Sequence, residues 1–189
     1  MKIVILERNS VGTDVSVDAL GKYGELTIYR NTTAPDVAER VKDADIIIAN
    51  KSPLNEATLK DAANVKLICE FATGYDNVDL NYCKERGIKV ANVVNYSTDA
   101  VAQHTFALCF YILEKLRHYD DYVKSGAYAA QDRFSNFDLP YTELAGKTWG
   151  IIGMGNIGKR VARIAESFGC KVIFYSVTGR SKVTEYEQV

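Results

Sequence analysis

The chain has 189 residues, 47% of them hydrophobic and 25% charged, with three prolines and a formal net charge of −1. That length holds one large or two small domains, and the composition is that of an ordinary globular protein. The near-zero charge exerts no pull toward phosphate backbones or anionic lipid, and no apolar run approaches the ~20 residues of a membrane span, so neither nucleic acid nor membrane is an expected partner.

The N-terminus reads MKIVILERNS, an apolar run soon broken by Glu7 and Arg8. It predicts a buried first strand over Lys2–Leu6, since a signal peptide needs a longer apolar stretch and a small-residue cleavage site. Further short runs rich in β-branched residues predict strands at Leu26–Tyr29, Ile46–Ala49, Leu67–Phe71 and Val90–Val94. Helices fall between them. Asp36 is placed to cap Val37–Val41, Asn55 to cap a segment near Ala57–Ala62, and Asp79 to open Leu80–Arg86, which Gly87 stops. This alternation predicts an α/β fold with a parallel sheet covered on both faces. The four cysteines, Cys69, Cys83, Cys109 and Cys170, are far apart and form no CxxC pair. Reduced thiols and a cytoplasmic address are expected, with no metal or disulfide framework.

From Val101 to Val123 the pattern predicts one long helix, apolar around most of its first half and charged in its second. Such a helix must be buried against more than one sheet face, at a domain connection or a subunit interface. Gly126–Tyr141 reads as an irregular surface loop. Gly146 and Lys147 form a turn before a strand at Thr148–Ile152, and the glycine-rich GMGNIG of Gly153–Gly158 follows directly. Lys159–Phe168 is helical, with Val161, Ile164, Ala165 and Phe168 on one face. Gly169 ends it, and Lys171–Tyr175 is the next strand, with an outer edge expected to be unprotected.

A lone GxGxxG also occurs in ordinary turns. Here it ends a strand and opens a helix inside a complete βαβ unit, which is the setting a dinucleotide-binding loop requires. Gly153 permits the tight turn, Gly155 lets the backbone approach a pyrophosphate, and Gly158 lets helix and strand pack closely. The backbone N–H groups of Asn156 and Ile157 then face the phosphates. An NAD site normally carries an acid at the end of the second strand to hold the ribose. Ser176 stands there instead, and Arg180, Ser181 and Lys182 follow in YSVTGRSK. Two readings stay open: a site for NAD or NADP that tolerates the 2′-phosphate, with Ser176 and Arg180 as contacts, or a solvated loop.

Three phrases in chain order carry a resemblance: FATGYDNVDL (Phe71–Leu80), NYSTDAVAQHTFAL (Asn95–Leu108) and ELAGKTWGIIGMGNIGKRVA around the glycine loop. Together they resemble the D-isomer-specific 2-hydroxyacid dehydrogenases, above all the glycerate dehydrogenase and hydroxypyruvate reductase members. The resemblance implies a flavodoxin-like, parallel-sheet substrate domain over residues 1–98. Residues 99–189 would hold a hinge and dimerisation helix and the first part of a Rossmann-type NAD(P)-binding domain. It implies hydride transfer between a nicotinamide cofactor and a small 2-oxo or 2-hydroxy acid, bound in the cleft between domains. Thr73 and Gly74 would hold the substrate carboxylate through backbone N–H groups, and Lys51 would reach it from the preceding strand's end. Thr73 and Val101 would also meet the cofactor, and the Thr98–Tyr122 region would pack across a homodimer axis.

The family's catalytic Arg, Glu and His come from the later part of the nucleotide domain. No catalytic residue is therefore expected among these residues, and the chain is expected to be an inactive fragment. His104 and His118 read as structural, and Gln103 replaces the usual Glu of its helix. A rival reading is a non-catalytic, cofactor-sensing protein of the same fold, akin to corepressors; the near-neutral charge speaks against it.

Overall fold

Five short strands near the N-terminus all run parallel in the computed structural model, which describes residues 1–189. They are β1 (Lys2–Ile5), β2 (Glu25–Ile28), β3 (Ile46–Ala49), β4 (Leu67–Glu70) and β5 (Lys89–Ala91), in the order β2-β1-β3-β4-β5. This is the strand order of the flavodoxin-like doubly wound fold. The chain divides into two compact units, Met1–Tyr96 and Ser97–Val189.

In the first unit, the continuous apolar run of β3 follows from burial on both faces. Ile47 packs with Val37 and Val41 of α1 (Val37–Val41), Leu59 of α2 (Glu56–Leu59) and Cys83 of α3 (Leu80–Glu85). On the other face Ile3, Ile5 and Ile48 pack against Val17 and Leu20, from a loop and the 3-10 turn Asp18–Tyr23. The helix starts are set locally. Asn55 accepts from the Ala57 N–H while its own N–H donates to Thr58 Oγ1, both at 3.0 Å, a reciprocal cap. Asp79 Oδ1 accepts from the Tyr82 N–H at 3.0 Å, and Gly87 ends α3 at φ 70°. Asp36 departs from the expectation: its backbone is already helical and it caps nothing. A 3-10 turn, Ala34–Asp36, leads into α1, and the Asp36 carboxylate instead pairs with Arg40 at 3.5 Å. β5 is shorter than expected because the Val93 N–H turns to the Ala72 carbonyl at 3.0 Å, leaving the ladder.

The second unit holds a parallel sheet of β6 (Thr148–Ile152), β7 (Lys171–Tyr175) and β8 (Glu187–Gln188), in that order. Against one face lie α4 (Thr98–Leu113) and α7 (Asn156–Ser167), where Phe106, Val161 and Ala165 pack with Val172 and Phe174. The Phe106 ring stacks on Trp149 at 4.8 Å and on Phe168 at 5.7 Å. Phe168 itself is 43% exposed, so the predicted apolar face of α7 is only partly buried at its end.

Three expectations are corrected here. The predicted helix Val101–Val123 is two helices, α4 and α5 (Leu116–Lys124), separated by a left-handed Lys115 at φ 53°. The turn lets Tyr119 Oη donate to Leu139 O and Tyr122 Oη to Gln131 Oε1, both at 2.6 Å, anchoring the Gly126–Tyr141 loop. That loop contains a short helix, α6 (Ala127–Ala130). Helix α7 begins at Asn156, three residues before the predicted start, because the second half of the glycine motif is itself the first helical turn. Finally, β7 is not a bare edge: Ile173 and Phe174 pair with Glu187 and Gln188 of β8, and Lys171 meets Glu187 at 2.6 Å. The outer strands of this sheet are β6 and β8. No helix is long and apolar enough to cross a membrane.

Candidate functional site

In the second unit, the strand β6 delivers the glycine loop to the N-terminus of α7. Gly153 sits at φ 91°, a conformation that side chains resist, and its N–H donates to the Tyr175 carbonyl at 2.9 Å. Gly155 caps α7 with extended backbone and no side-chain cap, and a Cβ there would meet no atom within 4 Å. At Gly158 a Cβ would lie 2.3 Å from the Gly153 carbonyl oxygen. The first glycine makes the turn, the second leaves open space above the helix end, and the third permits helix and strand to touch. Ser176, Arg180 and Ser181 share with Gly153 and Gly155 a cavity of ≈ 290 Å³. No carboxylate lines it, and Arg180 is its one charged residue. Together with the positive end of α7, this makes a setting for anionic groups. Val101 lies in the first turn of α4, 41% exposed. His104 is exposed on the same helix, and His118 is half-buried beside the rings of Tyr119 and Tyr122.

In the first unit, Lys51, Thr73 and Gly74 stand beyond the carboxyl ends of the neighbouring strands β3 and β4, all exposed. Open α/β sheets bind ligands at this end. Thr73 is fixed from both sides: its Oγ1 donates to Val93 O at 2.9 Å, and Asn92 Nδ2 donates to its carbonyl at 2.8 Å. A Cβ on Gly74 would meet only the Asp76 carboxylate, at 3.3 Å. The two loops are stitched together. The Leu54 N–H donates to Asn77 O at 2.9 Å, the Asp79 N–H to Leu54 O at 2.8 Å, and Asn77 Nδ2 to Ser52 O at 3.0 Å.

Two residues without an expected role hold these loops. The Glu7 carboxylate accepts from the Asn50 N–H at 2.9 Å, the Lys51 N–H at 3.3 Å and Ser52 Oγ at 2.6 Å. Glu70, the last residue of β4, is only 2% exposed. Its Oε1 accepts from Asn77 Nδ2 at 3.1 Å, and its Oε2 has no partner. Burial pushes this carboxyl up to about 6; the Asn77 hydrogen bond opposes the rise and the nearby Glu7 charge adds to it. The one signal in the sequence is an acid inside the apolar run LICEF, since charged groups are rarely buried without a purpose.

The comparisons with known proteins agree on one family. A family model described as D-isomer specific 2-hydroxyacid dehydrogenase, catalytic domain, matches residues 3–185. The chain belongs to that family of oxidoreductases. A hydroxypyruvate reductase of Blautia hydrogenotrophica is 36% identical over 179 residues, covering 93% of this chain and 56% of that protein. The crystal structure of D-lactate dehydrogenase from Aquifex aeolicus, complexed with NAD and lactic acid, superposes with a TM-score of 0.78 at 32% identity. That match covers all of this chain and 55% of the other. An acyclic imino acid reductase in complex with NADPH and D-Arg gives a TM-score of 0.81 at 28% identity, covering all of this chain and 60% of the other. The chain thus spans a little over half the length of each of these three relatives.

Proposed function

We propose that these residues bind cofactor and substrate for an NAD(P)-dependent dehydrogenase of small 2-oxo or 2-hydroxy acids, the first unit serving the substrate and the second the cofactor. The observation that carries this reading is the glycine loop, whose open space at Gly155 adjoins the acid-free cavity of Ser176 and Arg180. When bound, the nicotinamide supplies the hydride chemistry. The first turn of α7 receives the pyrophosphate, and Gly155 allows its approach. The Ser176 hydroxyl and the Arg180 guanidinium face the ribose, where nothing repels a 2′-phosphate and Arg180 attracts one. Backbone N–H groups at Thr73 and Gly74, with the Lys51 ammonium, hold the substrate carboxylate. Val101 adds a contact to the cofactor. Neither histidine is assigned a proton transfer, because His104 sits on an exposed helix face and His118 lies beside two tyrosine rings.

The outer face of α4 supports a homodimer, with Leu108, Tyr111 and Ile112 each about half exposed or more. The four unpaired cysteines fit a reducing cytoplasm. Fluorescence titration with NADH and NADPH tests the cofactor reading. NADPH is expected to bind at least as tightly as NADH, and Ser176→Asp to shift preference toward NADH. A preference for NADH of more than about tenfold, ~1.4 kcal/mol, would refute the 2′-phosphate assignment, and no binding of either would refute the site.

A further inference from the structure

We infer that Glu70 is a positioning residue which locks the Lys51 loop to the Thr73–Gly74 loop, and that its negative charge weakens the capture of a carboxylate there. The inference rests on reading those loops as the carboxylate site.

A continuous run of hydrogen bonds starts at Glu70. Its Oε1 accepts from Asn77, Asn77 also donates to the Ser52 carbonyl, and the Ser52 hydroxyl donates to Glu7. Glu7 then accepts the backbone N–H of Lys51. One buried acid is thereby linked to the backbone of both loops, three residues before Thr73 in sequence. Its satisfaction is incomplete. A buried carboxylate wants donors on both oxygens, and Oε2 has none.

The charges facing Glu70 are Glu7 from the end of β1, Asp76 from the loop after β4 and Lys51 from the loop after β3, two negative and one positive. Ionised Glu70 adds a third negative charge beside the single ammonium. An incoming carboxylate meets that repulsion, and the repulsion vanishes when Glu70 takes up a proton. Binding and protonation are therefore reciprocally linked: an anion on the loops raises the proton affinity of Glu70, and a proton on Glu70 tightens the anion. The carboxyl sits near pH 6, where this linkage is felt. Affinity for a small 2-oxo acid should rise about three- to fivefold between pH 7.5 and pH 5, the scale of one partly screened unit charge.

The test uses NMR of the 189-residue chain, with oxamate as the probe because its carboxyl stays ionised across this range. Without ligand, the side-chain NH₂ of Asn77, which donates to Glu70, should titrate with a midpoint near 6. Glu70→Gln keeps an acceptor for Asn77 and removes the charge. It should abolish that titration and bind oxamate at every pH as the parent does at pH 5. Glu70→Ala breaks the hydrogen-bond run and should bind more weakly at every pH. A residue that only supports the fold would give both variants the same loss and leave the pH profile unchanged, which would overturn the inference. Oxamate shifts at Lys51, Thr73 and Gly74 with a pH-independent affinity would overturn it while sparing the site. If oxamate shifts none of those three, the carboxylate site itself falls and the charge effect falls with it. The ligand-free titration then decides alone whether Glu70 joins the loops.

Discussion

A methyl group added at Gly158 would lie 2.3 Å from the Gly153 carbonyl oxygen, whereas the same methyl at Gly155 meets nothing within 4 Å. Two identical substitutions in one hexapeptide should therefore do different damage. Gly158→Ala overpacks a backbone-to-backbone contact and is expected to lower stability by about 1–3 kcal/mol. Gly155→Ala is expected to leave thermal melting unchanged and to weaken NADH and NADPH binding. Melting curves beside cofactor titrations separate the two, and an equal melting loss for both would refute the division of labour. These glycines were legible because their spacing between strand and helix is itself the signal. Glu70 was legible only as an anomaly in an apolar strand, since its partners Asn77, Ser52 and Glu7 come from three other segments. Its stability consequence has a definite sign. The folded carboxyl is raised from the ordinary 4.5 to about 6, so its contribution to stability is complete below pH 4.5 and is lost as pH rises through 6. Glu70→Gln should be more stable than the parent at pH 7.5, by on the order of 2 kcal/mol, and equal to it near pH 4.5. Urea unfolding at the two pH values checks this.

Among the elements, β3, β6 and β7 match their expected bounds to the residue, because short runs rich in β-branched and aromatic residues between turn residues favour strand over helix. The break between α4 and α5 was illegible. Lys115 carries no mark of a left-handed residue, and the contacts that favour the turn, Tyr119 to Leu139 and Tyr122 to Gln131, are made with a distant loop. The two-residue β8 was equally invisible, being too short for any periodicity. The cost of Lys115's conformation is testable: a left-handed backbone costs a side-chain-bearing residue roughly 1–2 kcal/mol, of which glycine's extra unfolded freedom offsets about half. Lys115→Gly should thus raise stability by roughly 0.5–1 kcal/mol. A loss of similar size in chemical denaturation would mean the lysine side chain contributes more than its strain costs.

At the scale of the whole molecule, α4 leaves apolar residues exposed. Leu108 is 52% exposed and Ile112 65%, on the side of the helix away from Phe106. The proposed two-fold dimer would bury this face, and each substitution there would act twice. Ile112→Glu is expected to convert the proposed dimer to a monomer near 21.0 kDa without lowering its melting temperature, as read by sedimentation at micromolar concentration. A parent chain that already sediments as a monomer would remove the interface.

The open edge of β6 has a different consequence, one written in its amide protons. The Gly153 N–H points toward β7, where it meets the Tyr175 carbonyl. By the two-residue period of a strand, Trp149 and Ile151 point the same way, and the N–H groups of Thr148, Gly150 and Ile152 point outward, where no strand lies. Deuterium should therefore enter β6 as a comb, fast and slow at alternate residues, while unit 2 remains folded. Any strand docked along that edge would erase the comb, which makes the alternation a built-in gauge of how complete the sheet is in solution.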